Sequence, residues 1–212
     1  MVWILRFINI SLLILAIWAL FYNLQLLKTI FILCGFLFLI SGIRKAFQIG
    51  LDSIRGKFWV LLSMSGLIFP VSEMINSQTL HLISRFYLSL VLLFMFVGLR
   101  RQGFELRGVK IITWVLGVAL SLLFSFLISA FIESRLINYL FLLVLNVNFA
   151  ILLADVLLYI GSDLGRRWFV GFAGFSFFFV GDPLYLLGYD EITRFFWFLI
   201  FFFINIVAHI ED

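Results

Sequence analysis

Two aspartates, Asp155 and Asp182, stand inside apolar runs long enough to cross a bilayer. An ionised carboxylate in hydrocarbon is strongly destabilised unless it is paired, protonated or hydrated, so each is a candidate for acid–base work or for binding a proton or cation. In NVNFAILLADVLLYIG (146–161), Asn148 precedes Asp155 by seven residues, which sets an amide and a carboxylate on one helical face. The structural alternative is that Asp155 is protonated, or pairs with Arg166 or Arg167 and pins a helical hairpin. In FSFFFVGDPLYLLGY (175–189), Pro183 follows Asp182 directly. Proline lacks an N–H and frees a carbonyl one turn back, so Gly181, Asp182 and Pro183 predict a helix break. Broken backbone at membrane depth is tolerated only against protein or water, which predicts a cavity at Asp182.

Further groups gather towards the same membrane face as Asp182. Ser63, Gly66, Pro70 and Glu73 share one face of a third span, and His81 and Arg85, four residues apart, project together from a fourth. Arg85 is expected to pair with Glu73 across that hairpin, and Arg194 sits at the corresponding end of the last span. The favoured site is therefore Asp182 with Glu73, His81, Arg85 and Arg194, opening away from the cytoplasm. Asp155 and Asn148 form a second, deeper pair. If the sixth and seventh spans are antiparallel neighbours, Asp155 and Asp182 differ in height by about 13 Å, too far for a carboxylate dyad. His81 and His209 fall at opposite ends, which disfavours a shared metal ion; no metal and no cofactor is expected. Gly117, Ser121, Ser125 and Ser129 recur at four-residue steps as a packing seam, and without a GxSxG phrase none reads as a nucleophile.

The elements that position these groups are set by composition. Of 212 residues 65% are hydrophobic and only 12% charged, with mean hydropathy +1.21, which makes the bilayer the solvent. The apolar runs are continuous rather than alternating, so the fold class is all-α and a membrane β-barrel is excluded. Eight spans are predicted, at about 3–22, 27–43, 58–75, 80–99, 111–132, 136–161, 168–188 and 192–209, forming a single transmembrane domain over residues 1–212 with no soluble domain. The N-terminal run reads as a retained span rather than a cleaved leader, and Cys34, the one cysteine, excludes an intrachain disulfide.

The turns after the second, fourth and sixth predicted spans carry Arg44, Lys45, Arg55, Lys57, Arg100, Arg101, Arg107, Lys110, Arg166 and Arg167. The opposite side has only Lys28, Arg85, Arg135 and Arg194. This bias predicts an inner (cell) membrane protein with both termini in the cytoplasm, and it explains the net charge of +4 without a nucleic-acid partner. Expected partners are membrane lipids, with a second copy or a membrane complex engaging the Gly and Ser seams. Gly174, Gly181 and Gly188, seven residues apart, predict a smooth strip for a neighbouring helix or lipid chain.

The pair FAILLADVLLYIG and RWFVGFAGFSFFFVGDPLY resembles two spans of the YhhN-type lysoplasmalogenases, eight-helix membrane enzymes that hydrolyse the vinyl ether bond of lysoplasmalogens. The likeness covers about residues 149–188. It would match Asp155 to the aspartate of the family's small-residue-Asp-x-Leu-Leu phrase. Asp182 stands where the family usually has a histidine, and the family places these spans earlier in the chain. GDPLYLLGY also resembles a phrase in the multi-pass sensor regions of bacterial signalling proteins. The expectation that joins these features is a lipid-modifying enzyme acting on a lysophospholipid or ether lipid. Asp182 would be acid or base, Asp155 and Glu73 the supporting carboxylates, and Arg85, Arg194, His81 and Asn148 the substrate contacts. The alternatives are a proton- or cation-coupled transporter, channel or sensor, and a structural subunit of a larger membrane complex.

Overall fold

The computed structural model describes residues 2–101, 111–159 and 162–210. Among them nine helices follow one another: α1 (Val2–Tyr22), α2 (Leu26–Ile49), α3 (Ile54–Ile75), α4 (Gln78–Arg101), α5 (Ile111–Ser129), α6 (Leu136–Tyr159), α7 (Asp163–Ser176), α8 (Phe178–Leu186) and α9 (Asp190–Ile210). No strand occurs among the described residues. Seven segments are long and apolar enough to cross a membrane, with α7 and α8 together supplying Trp168–Leu186; Val115–Ser129 of α5 is a shorter apolar helix. The chain is an all-α, multi-pass membrane protein.

Helix ends follow local chemistry. α2 runs on past the predicted limit to Ile49, so Arg44 and Lys45 belong to the helix rather than to a turn, and Lys45 is buried. The helix stops at Gly50, whose φ of 96° suits a residue without a Cβ and whose N–H bonds to the Ala46 carbonyl. Ser53 then caps α3 by accepting from the Gly56 N–H at 2.9 Å. α3 ends on Asn76, in the left-handed region at φ 52°. Arg107 and Lys110 of the predicted basic turns lie outside the described residues.

The tightest seam joins α2 to α3. A Cβ added to Gly66 would stand 2.4 Å from the Gly35 carbonyl oxygen and 2.9 Å from the Leu39 nitrogen, and one added to Gly35 would stand 2.3 Å from Cγ of Pro70. Backbones meet there, and Pro70 sits inside α3 with its ring filling the space above Gly35. α9 is the hub. It packs on α2, α7 and α8, and its Trp197, Phe198 and Phe201 are buried with Phe31, Phe38 and Phe69 in one aromatic core. The Phe-rich helix is therefore interior packing. α1 and α5 lie at the margins and turn residues such as Phe7, Ile14, Leu120 and Phe126 outward.

Two seams differ in detail from expectation. Gly117 does face Leu153 and Phe149 of α6, but Ser121 and Ser125 both donate to the Asn146 side chain, so polar bonding as well as small size holds α5 to α6. Gly174 and Gly181 lie against Phe203 and Trp197 of α9, whereas Gly188 is in a turn at φ 83° and is no part of a helical strip. The helix break falls at Phe177, five residues before Asp182, and Pro183 sits within α8. A proline ring crowds the carbonyl one turn upstream, and here the irregular backbone lies on that N-terminal side.

The seam chemistry predicts an order of tolerance. Gly66→Ala meets backbone that cannot turn aside and is expected to destabilise the fold by about 1–3 kcal/mol or more. Gly117→Ala meets only the tip of Leu153, which can rotate, while the helix gains up to about 1 kcal/mol of propensity. Thermal unfolding in detergent should show a clearly lowered apparent Tm for the first and little change for the second.

Candidate functional site

α4 places His81, Ser84, Arg85 and Ser89 on its inward side, and all four are buried. The central contact is between Arg85 and Asp182 of α8, each at most 1% exposed. Nε of Arg85 donates to Oδ2 of Asp182 at 3.0 Å and to Oδ1 at 3.2 Å, and Nη2 donates to Oδ1 at 2.7 Å. The Trp197 indole N–H adds a further bond to Oδ1 at 2.8 Å, and Nη1 of Arg85 donates to Ser84 Oγ at 2.9 Å. Aromatic rings close over the guanidinium: Phe69 and Trp197 at 4.5 Å, Phe178 at 5.1 Å and Phe141 at 5.6 Å. Each well-placed desolvated ring contributes about 0.5–2 kcal/mol to a buried cation. The box thus supplies both a counter-ion and π-faces in place of water.

This geometry corrects two expectations. Arg85 pairs with Asp182, not Glu73, and Asp182 faces protein rather than a wet hollow. The physical reason is the position of the break. With the interruption at Phe177, residues 178–186 are helical again, and Asp182 is carried against α4 and α9 instead of lying beside opened backbone. Its oxygens are engaged by Arg85 and Trp197.

Glu73 heads a second cluster. It is buried, and its Oε1 accepts from Nε of Arg194 at 2.7 Å with Nζ of Lys28 at 3.9 Å. Its Oε2 lies 3.4 Å from Nε2 of the buried His81. On the other side of the ring, His81 Nδ1 is 3.1 Å from Ser72 Oγ, a hydroxyl that itself donates to the Phe69 carbonyl. The imidazole lies against Tyr185 and Trp197 at 5.0 and 5.2 Å between centroids. The five residues Asp182, Glu73, His81, Arg85 and Arg194 are therefore brought together by α3, α4, α8 and α9. Trp197, Tyr185 and Lys28 complete the assembly and were not anticipated, although Trp197 follows Arg194 by three residues on the same stretch of helix.

Below the ion pair the polar contacts continue. Ser89 Oγ donates to Asn148 Oδ1 at 2.7 Å, and Asn148 Nδ2 donates to the Arg85 carbonyl at 3.2 Å. Asn148 thus ties α6 to α4 rather than partnering Asp155. Asp155 lies two turns further on, about 10 Å along the axis, fully buried and with neither oxygen hydrogen-bonded among the described residues. The side chains of Arg166 and Arg167, its expected structural partners, lie outside the described residues.

Above the pair, the ends of α3, α5 and α8 and the starts of α4, α6 and α9 surround a polar cavity of about 440 Å³, lined by Asn76, Gln78, Glu133, Arg135, Asn138, Asp190 and Tyr185 among others. Gln78 bonds to Asn138, which in turn donates to the Glu133 carbonyl at 3.0 Å. Tyr185 links this vestibule to the buried cluster, since its ring also stacks on His81 and Trp197. Among the described residues no group of three or more His, Cys, Asp or Glu side chains is placed to hold a metal ion.

The closed ion pair predicts a characteristic double-mutant cycle. Arg85→Met or Asp182→Leu alone strands a buried charge and is expected to destabilise the protein by about 3–5 kcal/mol, whereas the double variant recovers most of that loss. Thermal unfolding of the four proteins in one detergent reads the coupling directly. Compared with protein-family models, curated proteins and solved structures, the chain matches none.

Proposed function

We propose that the protein is a membrane transport protein that moves protons along its polar interior, rather than a lipid hydrolase. The observation that carries this reading is the succession of polar groups through the bundle. It begins at the vestibule, passes His81 with Glu73 and then Arg85 with Asp182, and continues to Ser89 with Asn148. Ionisable groups in spans are expensive to bury, and where they line the inside of a bundle they serve ion and proton pathways. An apolar replacement of similar volume stabilises a bundle as well as a buried ion pair does, so packing alone supplies no reason for the pair. A hydrolase needs a carboxylate or nucleophile open to substrate, and both Asp182 and Glu73 are occupied by cationic partners.

In this reading the vestibule admits the hydrated proton, and the His81–Glu73 pair is the first exchanging station. A proton arriving at Asp182 weakens its hold on Arg85 and loosens α8 from α4. The tightened turn at Phe177, whose N–H bonds to the Gly174 carbonyl at 3.1 Å, is where α7 gives way to α8 and where such a motion would be taken up.

The test is reconstitution into proteoliposomes with an imposed pH gradient. Wild-type protein is expected to dissipate the gradient faster than empty vesicles. Glu73→Gln is expected to slow it by about tenfold or more, corresponding to about 1.4 kcal/mol on the barrier. Lysophospholipid in the same vesicles should remain intact. A dissipation rate equal to that of empty vesicles overturns the proposal, and lysophospholipid turnover that disappears in Asp182→Asn replaces it with the hydrolase.

A further inference from the structure

We propose that Asp155 is a separate proton-binding site: a neutral carboxylic acid inside the bundle, chemically reactive towards hydrophobic carbodiimides. Its side chain is fully buried, and neither oxygen has a hydrogen-bond partner among the described residues. Its neighbours along α6, Leu152, Ala154 and Leu158, are buried and apolar. α6 packs on α4, α5, α7 and α8, and the described charged groups of those helices are committed elsewhere. On α4, His81 stands by Glu73 and Arg85 is held by Asp182, which is the charged group of α8. Neither Val115–Ser129 of α5 nor Trp168–Ser176 of α7 contains a charged residue.

Among the described residues a carboxylate so placed has neither donor nor counter-ion to stabilise its charge, whereas the neutral acid forgoes only ordinary hydrogen bonds. The contrast with Asp182 is internal to the molecule. Asp182 receives three donor contacts from Arg85 and one from Trp197, whereas Asp155 receives none among the described residues. Asp155 stands about 10 Å beyond Asn148, where the hydrogen-bonded succession ends. The inference rests on the proton-transport reading for the use made of the proton, which would be the last station before the far end of the bundle.

The predicted chemistry is an addition. The acid O–H adds across one C=N bond of the carbodiimide to give an O-acylisourea, and an oxygen-to-nitrogen acyl shift then forms the N-acylurea. The acid proton ends on nitrogen and nothing leaves. The reaction requires a protonated carboxyl in an apolar surrounding.

Purified full-length protein treated with dicyclohexylcarbodiimide at neutral pH, followed by peptide mass mapping, is the experiment. One reagent mass is expected on Asp155 and none on Asp182 or Glu73. Infrared spectroscopy should find a protonated-carboxyl C=O band that disappears in Asp155→Asn. If that variant does not fold, Asp155→Glu keeps the acid and should retain both the labelling and a shifted band. Wild-type protein that leaves Asp155 unlabelled, or an infrared spectrum without a protonated-carboxyl band, overturns the inference. Labelling at Asp155 without proton flux upholds this site while removing the transport reading; flux without labelling removes this site alone.

Discussion

A guanidinium and a carboxylate withdrawn from water together leave little freedom to what surrounds them. For Arg85 and Asp182 to be stable at under 2% exposure, α4 and α8 must meet at one height, α9 must bring the Trp197 N–H to the same oxygen, and rings from α3, α6, α8 and α9 must replace solvent around the cation. Displacing any of these helices by one turn would strand a charge in an apolar medium. The aromatic richness of α9 is part of the same constraint, because Trp197 packs against Gly181 while it donates to Asp182, and a side chain at Gly181 would hold the two helices apart. Helix–helix spacing and charge compensation are in this way one problem with one solution.

The second ion cluster follows a different rule. Glu73 lies near a membrane face, and its cationic partners are graded by exposure, from Arg194 at 13% to Lys28 at 36%. Partners that reach towards solvent can exchange with water, so Glu73 and His81 are connected to the exterior in a way that Arg85 and Asp182 are not. The two clusters meet through the rings of Trp197 and Tyr185. From the vestibule downward the interior therefore passes from ion partners that reach solvent, to the buried Arg85–Asp182 pair, to Asp155, which has no hydrogen-bond partner among the described residues.

Much of this was legible in the sequence, for definite reasons. Continuous apolar length gives the spans because every backbone group in lipid must be bonded internally, and the four-residue spacing of His81 and Arg85 gives a shared face on α4. The membership of the cluster around Asp182 followed from height along the spans. Its pairing did not, since Arg85 and Asp182 are 97 residues apart and hydropathy carries no information about which helices are neighbours in the membrane plane. Pro183 misled for a related reason. The irregularity accompanying it is at Phe177, so the site of the break depends on what packs beside the helix. The Asn146 contacts on α5 show the same limit, because position along the chain does not disclose partners that come from across it.

α8 gives these contacts a mechanical consequence. It is only nine residues long, bounded by the interruption at Phe177 and the turn at Leu187 and Gly188, yet it carries Asp182, Pro183 and Tyr185. The carboxylate that holds Arg85 and the ring beneath the vestibule thus lie on one short rigid piece. A movement of α8 as a unit would shift Tyr185 at the vestibule and Asp182 beside Arg85 together. Such a link requires no long chain of intermediates, since Tyr185 and Asp182 are carried by the same helix. Thr193 Oγ1, which bonds the Gly181 carbonyl at 3.3 Å, and the close bed of Gly181 on Trp197 resist sliding along α9.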